Sequence, residues 1–234
     1  MDEALEHYTA CLNIQRTSSS ALHNRGAIYE KQGKIPEATA DFELACKVDE
    51  HAHSSFHALA VIADGEKNHE KALELFSCAI AIDNRNSVYL HNRGFCHRSA
   101  SRFHSAIEDF TSCLEIDPNS FSALTNRAYC WRKMSEFDRA IADYTSALKL
   151  DPRHAKTLNN RAYCFAKQER FSSAVEDYSA VLAEDPTNVH ALHNRGISYD
   201  RLNMTERAAA DFREVEREQR ARRSAPGESQ GFIS

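Results

Sequence analysis

The chain has 234 residues, a net charge of −5 and a sequence pI of about 6.2, so its overall charge gives no pull toward nucleic acid or an anionic membrane. No apolar run approaches the ~20 residues of a membrane helix, and Met1 leads into Asp2 and Glu3 rather than a secretory leader; a soluble, intracellular, cytoplasmic protein is expected. Seven cysteines in such a chain read as small buried side chains before disulfides or metal ligands.

The predicted elements are set by a repeat. His-Asn-Arg-Gly occupies His23–Gly26, His91–Gly94 and His193–Gly196, with relatives opening at Thr125 and Asn159 and a weaker copy at His57. The common step is 34 residues, which marks a stack of like supersecondary units. Full units start at 19, 53, 87, 121, 155 and 189. Residues 1–18 precede them and fit an orphan second helix of a truncated repeat, with Ala4, Tyr8 and Cys11 in its alanine, aromatic and small slots. A start in mid-unit suggests a fragment of a longer chain.

Within each unit a first helix is expected from about position two to fourteen and a second from about sixteen to thirty. Polar breaks such as Gln32-Gly33-Lys34 and Met134-Ser135-Glu136 separate them. Asp117-Pro118, Asp151-Pro152 and Asp185-Pro186 separate successive units, since proline cannot continue the second helix. Position eight is always small (Gly26, Ala60, Gly94, Ala128, Ala162, Gly196). Position twenty is always alanine, from Ala38 to Ala208, and position 24 is always a ring, from Phe42 to Phe212. Alanine, ring and the small residue at position 27 share one helical face, so the two helices of a unit should pack as a close hairpin. Cys96, Cys130 and Cys164 occupy one equivalent slot. The run Arg213–Arg223 gives the array a polar end, and residues 223–234 read as a disordered tail.

Position seven is arginine (Arg25, Arg93, Arg127, Arg161, Arg195) except at Leu59. Position 23 is aspartate (Asp41, Asp109, Asp143, Asp177, Asp211) except at Leu75, in the same unit. The joint exception predicts an Arg–Asp pair across each hairpin, replaced once by Leu–Leu. These arginines are therefore assigned to structure rather than to a ligand.

The period, the small, alanine and aromatic anchors and the junction proline resemble the tetratricopeptide repeat family over residues 19 to about 222. The aromatic usual at position eleven is missing at Ala63 and His97, and the proline at Glu50 and Asn84. The resemblance implies an all-α, right-handed superhelical solenoid whose first helices line a concave groove. Position six, Asn24, Asn92, Asn126, Asn160 and Asn194 (Ala58 in the odd unit), would then form an asparagine ladder. Each amide offers one donor and one acceptor function to an extended peptide backbone, or else bonds to the neighbouring helix. Phe95, Tyr129 and Tyr163 at position nine, with Arg98, Arg132, Lys133, Lys156, Lys167 and Arg201 nearby, favour a ligand carrying carboxylates and apolar side chains. Solvated surface charge is the alternative for any one cation. His23, His57, His91 and His193 share position five. At about 10 Å between adjacent units they stand too far apart for one ion, so no metal or cofactor is expected there. Protonating them below about pH 6.5 would favour an acidic ligand.

The expected function is a non-catalytic scaffold or adaptor that binds an extended acidic and aromatic peptide of another protein. Two alternatives stand beside it: the recognition arm of a larger enzyme, and a structural component of a larger assembly such as a ciliary complex. A co-chaperone reading meets the absence of the family's lysine at position five and arginine at position six. No nucleic-acid or membrane partner is expected, and self-association through the first hairpin remains open. No nucleophile–base set, phosphate loop or metal quartet is visible, so no enzyme is expected.

Overall fold

The computed structural model describes residues 2–224, and among them it is all helix, thirteen in number, with no strand. Helix α1 (Asp2–Ile14) precedes three hairpins: α2/α3 (Ser19–Lys31, Ile35–Val48), α4/α5 (His53–Gly65, His69–Ile82) and α6/α7 (Ser87–Ser99, Phe103–Ile116). Helices α8 (Phe121–Lys133) and α9 (Phe137–Leu150) follow, then the hairpins α10/α11 (Ala155–Lys167, Phe171–Glu184) and α12/α13 (Val189–Arg201, Thr205–Ser224). The expected tail lies outside the described residues from 225 onward, while residues 223 and 224 still belong to α13. No helix among the described residues is long and apolar enough to cross a membrane.

The chain divides into two compact units, Met1–Cys130 and Trp131–Ser234, with the division inside α8. In the first, α1 packs on α2 and each hairpin packs on the next through α3–α4 and α5–α6. In the second, α9 packs on α10 and α11 on α12. Each unit is thus a run of stacked antiparallel hairpins.

The expected anchors are the core. Every alanine of position twenty is buried, as are Phe42, Phe76, Phe110, Tyr144 and Tyr178. A Cβ added at Gly26 or Gly196 would stand 2.8 Å from the ring of Phe42 or Phe212, so position eight must be small because the ring of position 24 lies on it. Cys96, Cys130 and Cys164 have no exposed surface. Helix α1 packs on the first hairpin, with Leu12 and Tyr8 against Ala21, Leu22 and Ala45.

The Arg–Asp pairs form as expected wherever both partners lie in one unit. Arg25–Asp41, Arg93–Asp109, Arg161–Asp177 and Arg195–Asp211 are each bidentate at 2.6–2.9 Å, with the carboxylates buried. At the exception Leu59 and Leu75 pack together beside Phe42. Arg93, Arg127, Arg161 and Arg195 also donate back to a hydroxyl on the preceding repeat, Ser77, Thr111, Thr145 and Ser179 respectively, each at 3.1 Å. One guanidinium therefore ties two successive repeats together.

Two turns recur. Between the helices of each repeat one residue takes the left-handed conformation: Gly33, Lys67, Ser101, Ser135, Glu169 and Asn203, with φ from 58° to 75°. The next N–H reaches back across the helix end, Lys34 to the Tyr29 carbonyl and Arg102 to that of His97, a Schellman closure that satisfies terminal carbonyls. Only the first of these turns uses glycine. Between repeats an aspartate opens the turn: Asp49, Asp117 and Asp185 accept from the backbone N–H two residues on, at 2.9–3.1 Å. Asp49 does so without a following proline, so the aspartate side chain defines that turn where proline is missing.

Candidate functional site

The first helix of a hairpin buries its position-eight face under the ring, which leaves position nine turned outward. Val61, Phe95, Tyr163 and Ile197 are accordingly among the exposed large apolar side chains, at 36–41% exposure. Three of the cations predicted beside the position-nine rings lie on them. Arg98 stacks over Phe95 at 4.3 Å and Tyr129 at 5.2 Å. Arg132 lies 5.2 Å and Lys167 5.4 Å from the ring centre of Tyr163. Arg201 sits over Phe171 at 5.9 Å instead.

The asparagines of position six split into two kinds. In the first unit the Asn92 amide nitrogen lies 2.8 Å from His57 Nε2, and that of Asn126 3.2 Å from His91 Nε2. An amide nitrogen only donates, so both imidazoles are acceptors at Nε2. The Asn126 oxygen is taken by Arg98. These two amides are joined to the preceding repeat, and only Asn24 of that unit is exposed. His23, next to it, bonds Ser55 at 3.0 Å, since the next position six is Ala58. In the sequence, position five one repeat before Asn160 and Asn194 is Thr125 (a residue of the first unit) and Asn159 rather than histidine. Among the described residues neither Asn160 nor Asn194 bonds a histidine, and both line an open cleft of about 420 Å³. Arg132, Lys156, Asn159, Tyr163, Asn188 and His190 complete most of its wall. The Asn159 side-chain oxygen is buried there without a hydrogen-bond partner.

Five of the residues expected at the binding face therefore converge in one cleft: Arg132, Lys156, Asn160, Tyr163 and Asn194. Lys133, Lys167 and Arg201 are not in its lining, and Phe95, Tyr129 and Arg98 form a separate cluster on the first unit. Sequence reasoning missed His190, although it shares position two with Lys156.

The histidines of position five each pack on a ring, His23, His57 and His91 partly buried and His193 exposed. His23, His57, His91 and His193 lie 5.4–5.9 Å from the aromatic of position 24 in their own repeat, and His57 also stacks on Tyr89 at 4.6 Å. Burial, with the like charge of His23 as a smaller cause, holds the His57 pKa below its ordinary 6.5. Burial lowers His23 in the same way, with His53 contributing. A depressed histidine pKa means that the unfolded chain protonates first. The stabilisation is complete above pH 6.5 and is lost as the pH falls toward the folded pKa. The denaturant midpoint of unfolding should accordingly drop between about pH 7.5 and about pH 5.5, and drop less in His57→Gln. An equal drop in the variant would remove His57 from this account.

A stack of helical hairpins with a close small–aromatic seam and an outward first-helix face defines a class of helical repeat proteins. The sequence profile of the tetratricopeptide repeat matches residues 19–51, 88–120 and 132–189, together more than half of the chain. The chain belongs to the tetratricopeptide repeat family. No curated protein matches it at the level of sequence. Solved structures with a similar fold include YrrB, a TPR protein with an unusual peptide-binding site, at 17% identity and a TM-score of 0.75 over 81% of this chain and 97% of that one. MamA from Desulfovibrio magneticus RS-1 is similar at 16% identity and a TM-score of 0.70, covering 74% and 97%. Pseudomonas aeruginosa pilF is similar at 19% identity and a TM-score of 0.67, covering 85% and 90%. At these identities the likeness is one of fold.

Proposed function

We infer that the chain is a non-catalytic protein-interaction module that binds an extended peptide segment of another protein. The main contact is the cleft of the second unit. The observation that carries this reading is the state of the asparagines: Asn160 and Asn194 line that cleft without the histidine bonds that hold Asn92 and Asn126. Each amide can donate to a peptide carbonyl and accept from a peptide N–H. Asn159 lines the same cleft, and its side-chain oxygen is buried without a partner; a rotation of that side chain would bring a third acceptor to a peptide N–H.

Selectivity follows from the rest of the wall. Tyr163 supplies apolar surface, while Arg132 and Lys156 attract carboxylates. The ligand class is an extended segment with acidic residues beside an apolar or aromatic one. In the first unit the ladder is a stacking device, and Arg98 between Phe95 and Tyr129 offers a second point of contact. YrrB, with its peptide-binding site, supports the reading at the level of the fold.

A display selection of proteome-derived peptides on the full chain tests this. Acidic-aromatic segments are expected to enrich, and Lys156→Glu should shift the enriched set away from acidic residues. Enrichment that ignores the charge reversal would move the contact away from the cleft.

A further inference from the structure

The thiol of Cys96, the imidazole of His69 and the carboxylate of Asp64 meet between the second and third repeats, away from the cleft. Their ligating atoms all lie within 4.8 Å of one another. Nδ1 of His69 is 2.9 Å from Asp64 Oδ1 and 3.8 Å from Cys96 Sγ. The three come from three different helices, α4, α5 and α6. Around a tetrahedral zinc ion, with bonds of about 2.0–2.3 Å, neighbouring ligand atoms stand about 3.3–3.6 Å apart. The observed separations fall on either side of that range, so small side-chain rotations would close three corners of a tetrahedron.

The repeat makes this trio unusual within its own chain. His69 holds position seventeen, where the next three repeats carry Phe103, Phe137 and Phe171. Cys96 holds position ten, shared with Cys130 and Cys164. One repeat before Cys130 and Cys164 the slot equivalent to His69 is Phe103 and Phe137. Here the ring is an imidazole, and Asp64 at position twelve stands beside it. Glu70 and Arg102, whose charges act on Cys96 in opposite senses, are bonded to each other. A thiolate and a carboxylate would balance a divalent charge with the imidazole neutral. The same geometry argues against a nucleophile triad, because thiol and carboxylate both approach the same ring nitrogen and the thiol is fully buried.

We propose that Asp64, His69 and Cys96 form a binding site for a thiophilic divalent cation of the zinc type, with three protein ligands and a fourth position open to water. Binding would replace the thiol proton by the metal, releasing one proton to solvent. It would also move the imidazole proton to Nε2, leaving Nδ1 as the ligand. A cation there would clamp α4, α5 and α6 together, adding to the Arg93–Ser77 tie between the same two repeats.

Cobalt(II) titration of the reduced, metal-free full chain tests the proposal. A near-ultraviolet thiolate-to-cobalt charge-transfer band with tetrahedral visible bands is expected, saturating at one ion per chain and bleached by zinc. Cys96→Ser and His69→Phe install residues that equivalent slots already carry, at Ser198 and Phe103, so both should fold, as circular dichroism would verify. Each should abolish the band, while Cys130→Ser should keep it. Absence of the band in the parent chain would overturn the proposal. So would a band that survives both variants, because the ion would then sit at an exposed thiol such as Cys11 or Cys78.

Discussion

Asp177→Ala is expected to lower the stability of the second unit by about 3 kcal/mol, because it leaves the Arg161 guanidinium without its buried partner. Both Arg161–Asp177 bonds are short, at 2.7 and 2.8 Å, and the carboxylate is only 8% exposed. The arginine side chain retains 19% of its surface, so some of the loss is recovered by solvent. The informative comparison is the double replacement Arg161→Leu with Asp177→Leu. The chain already carries that arrangement at Leu59 and Leu75, packed beside Phe42. Exchanging a buried ion pair for apolar side chains is often neutral, so the double variant should fall within ~1 kcal/mol of the parent in chemical denaturation. A double variant as weak as Asp177→Ala would mean that the pair contributes through the tie to Thr145 rather than through its own charges.

Gly94→Val should be of similar size, a loss of about 2–3 kcal/mol from overpacking and a β-branched side chain on a helix. A Cβ at Gly94 already stands 3.0 Å from the Phe110 ring and 3.1 Å from Asp109 Cβ. The two further methyl groups of valine would press on the ring, on the buried carboxylate, or on both. Gly94→Ala is the control. Its close contacts oppose a helix-propensity gain of about 1 kcal/mol, and Ala60, Ala128 and Ala162 fill the same slot in other repeats. It should stay within ~1 kcal/mol of the parent. A thermal melt that separates the two substitutions would verify the small–aromatic seam as the element that sets hairpin spacing.

The hairpin fold could be read because its constraints repeat in sequence and act locally. A ring every 34 residues facing a small residue leaves one way for two helices to pack. The paired exception at Leu59 and Leu75 identified a contact across the hairpin before any coordinate. Other features were present in the letters but needed geometry to become visible. The left-handed turn residue falls at every position fifteen, yet only Gly33 announces it, because a single left-handed residue is tolerated by lysine, serine, glutamate and asparagine at modest strain. The hydroxyl partners Ser77, Thr111, Thr145 and Ser179 also recur at one position. Their link to the next repeat's arginine depends on how the hairpins stack.

The asparagines show the same limit at the site. Their spacing suggests one ladder with one role. In the first unit, histidine at position five of the preceding repeat takes up the amides of Asn92 and Asn126. One repeat before Asn160 and Asn194 the sequence carries Thr125, in the first unit, and Asn159 in place of that histidine, and both asparagines line the cleft. Which asparagines can meet a ligand is thus encoded one repeat earlier than the asparagine itself, a relation that only the side-chain geometry reveals.

The most direct measurement is calorimetric titration of the best display-selected peptide against two double variants, Asn160→Ala with Asn194→Ala and Asn92→Ala with Asn126→Ala. Removing two hydrogen bonds of about 1 kcal/mol each predicts a ~30-fold loss of affinity for the first, with its melting temperature unchanged. The second should melt lower but bind within about threefold of the parent while folded. Full affinity in the first variant, or selective loss in the second, would contradict the assignment of the cleft as the binding site.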